Sequence, residues 1–224
     1  MPLDETTPWG VVVPVKQLAV AKSRLGAYGD PTRGRLALAF AADVVTACLR
    51  CRHVVRVLVV TDDPLAARTL AALGAVIVPD GPGDGLNAAI THGVDRFRRT
   101  VAGCGVVTVS SDLPALRADD LDAALAAVRA GGRAFVADAE ARGTTLLAAA
   151  PGVALAPAYG PDSRLRHLAS GAVELVASRA LRRDVDTPEH LVEALWLGVG
   201  SRTAAVASAL GCFSRSPARC TMDP

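Results

Sequence analysis

The sequence predicts an α/β domain with a mainly parallel, mixed sheet flanked by helices. Three observations predict it. Short β-branched apolar runs alternate along the chain with longer segments of helical periodicity, the pattern of strand–helix repeats. The runs lack polar breaks, so they suit strands buried on both faces. The chain has 224 residues, 51% of them hydrophobic, a size that fits one domain with a sizeable core. Aromatic residues make up only 4%, so Ala, Val and Leu must build that core.

Residues 11–15, Val-Val-Val-Pro-Val, read as the first strand, with Pro14 near its end, where a sheet tolerates it better than at a centre. A basic loop over 16–25 follows. Residues 31–51 read as a helix, with Pro31 near its start and Leu36, Leu38, Phe40, Val44 and Val45 among its apolar positions. Residues 54–61 form a second strand ending in Asp62-Asp63-Pro64, 64–73 a helix stopped near Gly74, and 75–79 a short third strand. The glycine-rich turn 80–87 leads into a helix over 87–100. Residues 105–109 are a buried strand, followed by the acidic turn Ser111-Asp112-Leu113-Pro114. Asp119 and Asp120 open a helix that runs to Arg129, since carboxylates suit a helix N-terminus. A strand follows over 133–138, and the apolar segment 146–149, after Gly143-Thr144-Thr145, can pair beside it. Gly160-Pro161-Asp162-Ser163 starts a short helix, and 173–177 reads as a strand. Asp184-Val185-Asp186-Thr187-Pro188 precedes a helix over 188–197, and 202–210 is a further short helix. The Ser/Arg/Pro-rich stretch 212–224 reads as a flexible tail, leaving 1–211 as the domain.

The net charge of +2, with both signs interspersed, lacks the clustered basic footprint of a nucleic-acid binder. Met1 to Glu5 lacks the basic start and apolar core of a secretory signal, and no apolar run approaches a membrane span, so a cytoplasmic chain is expected. Five cysteines in such a chain read as free thiols. Cys48 and Cys51 have C-x-x-C spacing, but without a second pair they read as two helix cysteines. His53, His92, His167 and His190 show no metal-ligand spacing and are expected at the surface.

In open α/β sheets ligands bind beyond the carboxyl ends of the strands. Asp112 lies there, as a turn residue capping the next helix or as a ligand. Asp184 and Asp186 form a second acidic turn. The expectation is that they point in opposite directions, one capping the helix at Pro188 and the other reaching the cleft. Carboxylates from separate strand ends suit Mg²⁺, a hard ion that shares its shell with phosphates and water. Lys16, Lys22 and Arg24 are either a solvated basic loop or a clamp on a triphosphate. The loop is neither a Walker A motif nor a dinucleotide fingerprint. Gly83-Asp84-Gly85-Leu86-Asn87 is either a flexible connection or a place where backbone approaches a base or ribose, with Asn87 on a purine edge or capping the helix. Thr144, Thr145, Gly160 and Ser163 are either turn chemistry or a site for a small anionic acid, offering hydroxyl and backbone N–H donors.

Pro14-Val15-Lys16, Ala21-Lys22-Ser23-Arg24-Leu25, Gly85-Leu86-Asn87-Ala88-Ala89-Ile90, Ser111-Asp112-Leu113-Pro114 and Asp184-Val185-Asp186-Thr187-Pro188 occur in an order that resembles the CofC/FbiD guanylyltransferases. The resemblance spans most of 11–197 and implies a GT-A-like, Rossmann-related nucleotidyltransferase. It implies transfer of GMP from GTP to a small phosphorylated carboxylic acid with release of pyrophosphate, in coenzyme F-420 biosynthesis. Carried over by residue, Asp112 with Asp186 or Asp184 would hold Mg²⁺. Thr145, Gly160 and Ser163 would bind the acid's carboxylate, with Thr144 the alternative to Thr145. Lys16, Lys22 and Arg24 would face the GTP phosphates, with Lys22, Arg24 and Asp112 as the catalytic set. Gly85 and Asn87 would lie near the guanosine. The Ala- and Arg-rich composition resembles that of the bacterial FbiD branch, and that resemblance implies phosphoenolpyruvate as acceptor, giving enolpyruvyl-diphospho-guanosine, with hand-over to the next enzyme of the pathway. The alternatives are 2-phospho-L-lactate, 3-phospho-D-glycerate, and a non-catalytic nucleotide-binding regulatory domain. Molybdenum-cofactor relatives open with a glycine-rich loop, which Pro14-Val15-Lys16-Gln17 lacks.

Overall fold

The computed structural model describes residues 7–19, 25, 29–81 and 83–210. Strands β1 (Trp9–Pro14), β2 (Val54–Val60), β3 (Val76–Val78), β4 (Gly105–Val109), β5 (Arg133–Ala137), β6 (Thr144–Ala149) and β7 (Val173–Glu174) form one sheet in the order β3-β2-β1-β4-β6-β5-β7. The pairs β1–β2, β1–β4, β2–β3 and β5–β7 are parallel, and β6 runs antiparallel to both β4 and β5. Its reversal follows from chain length, because only residues 138–143 separate it from β5. A parallel return needs a crossover of a dozen residues or more.

The sheet is buried on both faces, as the unbroken apolar runs require. Helices α1 (Asp30–Arg50), α2 (Pro64–Ala71), α4 (Ala118–Ala126) and α6 (Arg179–Arg182) cover one face, where Val11, Val57, Val107, Leu121 and Leu181 share a core. Helix α3 (Leu86–Thr100) covers the other face with Ile90, Val94 and Phe97. It lies close to the strands because residue 93 is glycine: a Cβ there would sit 2.7 Å from both Val12 and Val60. Helix α5 (Ser163–Ala169) neighbours β7. Helices α7 (Pro188–Leu197) and α8 (Ser201–Ala209) flank α1, with Leu36, Phe40, Val185 and Leu191 buried together.

The expected elements are present with shifted ends: the predicted strand 173–177 is reduced to Val173–Glu174, and the helix expected to reach Arg129 stops at Ala126. The four-residue α6 was not expected. Helix α8 is anchored from a distance: the buried Asp43 of α1 accepts hydrogen bonds from the backbone N–H groups of Arg202 (3.2 Å) and Thr203 (2.8 Å). Among the described residues no helix is long and apolar enough to cross a membrane. The predicted tail over 212–224 lies outside the described residues, as do Lys22 and Arg24.

Candidate active site

The predicted site residues that the structure describes gather at the rim formed by the carboxyl ends of β1, β2 and β4 and the amino end of β6. Asp112 is not a helix cap. Helix α4 begins at Ala118, and its first turn is closed by Asp120, whose carboxylate accepts the Arg117 N–H at 3.1 Å. The two acidic turns are joined directly, since the Val185 N–H donates to the Asp112 carbonyl at 3.0 Å. Asp112, Asp184 and Asp186 each bring a carboxylate oxygen to within 4.8 Å of the others.

This corrects the expectation that Asp184 and Asp186 diverge. In an extended segment residues two apart share a face. Here the intervening Val185 is the residue that turns inward, fully buried in the α1–α7 core. The cap of α7 is Thr187, whose hydroxyl accepts the His190 N–H at 3.3 Å. Both aspartates therefore serve the rim.

Asp138, Glu140 and Asp184 form a second acidic group, so Asp184 is common to both. Glu140 is not among the site residues expected from the sequence, although it lies in an acidic turn directly after a strand. In this group Asp138 already accepts the N–H groups of Arg142 (2.8 Å) and Gly143 (2.7 Å), and Glu140 pairs with Arg183 at 2.7 Å.

The two threonines that open β6 point to opposite faces. Thr145 donates its hydroxyl to the Leu181 carbonyl at 2.8 Å, bracing α6 three residues before Asp184. Thr144 lies on the other face, with its oxygen 2.9 Å from His167 Nδ1 and 3.1 Å from the Ser163 hydroxyl. The Ser110 N–H donates to the Thr145 carbonyl at 2.9 Å, which places both threonines beside the turn of Asp112. His167 is fully buried, contrary to the surface position expected of it. Its ring lies against Phe135 and edge-on to Tyr159, and Nε2 accepts the Ala158 N–H at 3.0 Å. Burial, aided by the nearby Arg133 charge, pushes its pKa down to about 4.

Asn87 is the second residue of α3, after a cap formed by Gly85, so it does not cap the helix. Its amide grips the backbone of Tyr159, accepting from the N–H (2.8 Å) and donating to the carbonyl (3.0 Å). His167 and Asn87 thus pin the strap 158–160 from two sides. Gly160 has φ +131°, a backbone that favours glycine, and its carbonyl accepts the Ser163 N–H at 3.1 Å.

Lys16 is exposed just beyond β1. Its loop is tied to β2 and α2 through Asp63. One oxygen of that carboxylate caps α2 by accepting from Leu65 and Ala66, and the other accepts the Leu18 N–H at 3.0 Å. Asp62 in turn accepts the Asp80 N–H at 2.9 Å, holding the turn that leads to Gly85.

Two other features lie apart. Cys51, His53 and Asp122 meet at the amino end of β2, where the Asp122 carboxylate accepts from the Cys51 thiol (2.9 Å) and lies 2.7 Å from His53 Nδ1. Burial pushes the Cys51 thiol up to about 12, so it stays a donor. A cavity of about 460 Å³ between α6 and α7 is lined by Arg179, Arg183 and Trp196 among others, and none of the predicted site residues that the structure describes lines it.

The mixed sheet of this strand order, the converging acidic turns at its carboxyl rim and the family match that follows together make the chain a nucleotidyltransferase. A solved nucleotide-diphospho-sugar transferase candidate from Desulfovibrio desulfuricans G20 shares the fold, with a TM-score of 0.67 at 18% identity, covering 94% of this chain and 96% of that one. The family model described as "Guanylyl transferase CofC like" matches residues 9–221, and the chain belongs to that family. It is 53% identical over 213 residues to phosphoenolpyruvate guanylyltransferase of Thermomonospora curvata, covering 94% of this chain and 93% of that protein. It is 56% identical over 209 residues to phosphoenolpyruvate guanylyltransferase of Streptomyces scabiei, covering 90% and 97%.

Proposed function

We propose that this chain transfers GMP from GTP to phosphoenolpyruvate, giving enolpyruvyl-diphospho-guanosine and pyrophosphate, in a cytoplasmic route to coenzyme F-420. The observation that carries the reading is the convergence of Asp112, Asp184 and Asp186 from two separate turns to within 4.8 Å. The names and identities of the two bacterial relatives favour this acceptor.

An acceptor phosphate oxygen attacks the α-phosphorus of GTP. A new P–O bond forms, the bond from that phosphorus to the bridging oxygen breaks, and pyrophosphate leaves with the electron pair. The acceptor oxygen is already a nucleophile, so the protein needs no covalent intermediate. Its task is to hold two polyanions together. The all-oxygen donor set of Asp112, Asp184 and Asp186 suits Mg²⁺, which when bound neutralises phosphate charge. Lys16, Lys22 and Arg24 supply the positive charge that offsets the triphosphate. Gly85 lets the backbone approach the guanosine, and Asn87 holds the wall between the guanosine and the acid. Gly160, the Ser163 hydroxyl and the backbone of Thr145, whose own hydroxyl is held by Leu181, receive the carboxylate. The product passes to the next enzyme of the pathway.

The test incubates the purified chain with GTP, MgCl₂ and phosphoenolpyruvate, 2-phospho-L-lactate or 3-phospho-D-glycerate in turn. The downstream ligase and its deazaflavin acceptor are included to draw off the product. Pyrophosphate should appear fastest with phosphoenolpyruvate, and Asp112→Asn should lower the rate at least about 100-fold. No pyrophosphate above background with any acid defeats the reading.

A further inference from the structure

We propose that His167 and Thr144 are positioning residues that leave the Ser163 hydroxyl free to turn and donate a hydrogen bond to the carboxylate of the acceptor acid. This rests on the reading above, in which Ser163 meets that acid.

The direction is set at the buried end. The donor to His167 Nε2 is a backbone N–H, that of Ala158 at 3.0 Å, and a backbone N–H can only donate. Nε2 therefore carries no proton. The fully buried ring is neutral, so its single proton is on Nδ1 and points at the Thr144 oxygen 2.9 Å away. Thr144, with one lone pair taken by His167, has its own proton to give. The Ser163 hydroxyl lies 3.1 Å away and donates to Thr144. Two hydroxyls can share a hydrogen bond in either sense, so an anionic oxygen in front of Ser163 reverses this bond: Thr144 then donates to Ser163 and Ser163 donates outward. The relay runs from Ala158 through His167, Thr144 and Ser163 to the ligand. Each donor supports the next.

The surroundings keep this order. The rings of Phe135 and Tyr159 hold the imidazole, with centroids 5.6 and 5.4 Å away, and Asn87 holds Tyr159 in place. Ser163 is 2% exposed and follows the exposed turn 160–162, so a small ligand meets its hydroxyl where water is scarce. There the sense of the O–H decides between attraction and repulsion of a carboxylate. A reversed tautomer would present lone pairs instead.

Two measurements test the relay. The first needs no substrate. Nitrogen-15 NMR of the labelled full chain at neutral pH should show His167 as the neutral Nδ1–H tautomer. The second compares KM values for phosphoenolpyruvate and GTP. Thr144→Val, which keeps the shape and deletes the hydroxyl, should raise KM for phosphoenolpyruvate about tenfold or more and leave KM for GTP unchanged. Thr144→Ser should restore it. Ser163→Ala should match Thr144→Val, and the double variant should be no worse than either, because the two act as one unit. His167→Leu is not needed, since loss of a buried ring can unfold the chain. An Nε2–H or charged His167 overturns the relay, and so does a phosphoenolpyruvate KM indifferent to Thr144→Val. A wild-type chain that transfers GMP to none of the acids overturns both the relay and the functional reading. Transfer by the wild type with an indifferent KM overturns the relay alone.

Discussion

Three carboxylates within 4.8 Å of one another form an all-oxygen donor set that suits a hard cation, so the geometry at Asp112, Asp184 and Asp186 can be tested one residue at a time. Asp186→Asn removes one charge and keeps the shape. Adding MgCl₂ should raise the wild-type melting point and raise the variant's less, and turnover should fall about 100-fold or more. An equal rise in both proteins contradicts a metal held by Asp186. All three aspartates were legible in the sequence, because each sits in an acidic turn outside a regular element. Their convergence was not, since nothing local brings together two turns so far apart in sequence. The work of Asn87 and Thr144 was also hidden, for their partners lie 72 and 23 residues away. Local chemistry names a residue type; it does not name a partner across the fold.

At the scale of elements, two aspartates do more than end a helix. Asp63 caps α2 and also holds Leu18, so Asp63→Ala should cost about 1 kcal/mol of stability and loosen the loop that carries Lys16. The expected kinetic signature is a higher KM for GTP with KM for the acid unchanged; equal changes in both would contradict it. Asp43 serves α8 across 159 and 160 residues of sequence. Its removal by Asp43→Ala leaves two helix-terminal N–H groups without their acceptor and should destabilise the chain by ~1–3 kcal/mol. Hydrogen exchange should quicken first in the amides of α8, and uniform loss of protection throughout the chain would contradict local anchoring. Elements themselves were readable where apolar runs were long, as in β2 and β4. The direction of β6 was written in the shortness of the 138–143 connection rather than in its own residues, and α6, at four residues, is below any periodic signal. That α8 depends on Asp43 is a tertiary fact with no local trace.

For the whole molecule, His167 and Asp122 couple folding to pH in two separate windows. His167 has a pKa near 4 in the folded chain, mainly through burial, against an ordinary value of 6.5. Its folded form prefers the neutral ring, so the unfolded chain binds more protons between these values. Its contribution is present in full above pH 6.5 and is lost as the pH falls toward 4, by about 3 kcal/mol at most. Asp122 acts lower. Burial raises its pKa, but hydrogen bonds from the Cys51 thiol, the His53 ring and the Arg52 backbone and side chain outweigh that and bring it down to about 2, against an ordinary 3.8. Its contribution is present above pH 3.8 and is lost as the pH falls toward 2, by about 2 kcal/mol at most. Denaturant melts across pH should therefore show stability declining first between pH 6.5 and 4, and again below 4. His167→Asn places an amide N–H where Nδ1–H stands and does not titrate. It should lower stability at pH 7 through the lost acceptor at Ala158, yet flatten the upper slope while leaving the lower one. If the variant keeps the wild-type slope between pH 6.5 and 4, the buried neutral imidazole beneath Thr144 and Ser163 is not what links this fold to protons.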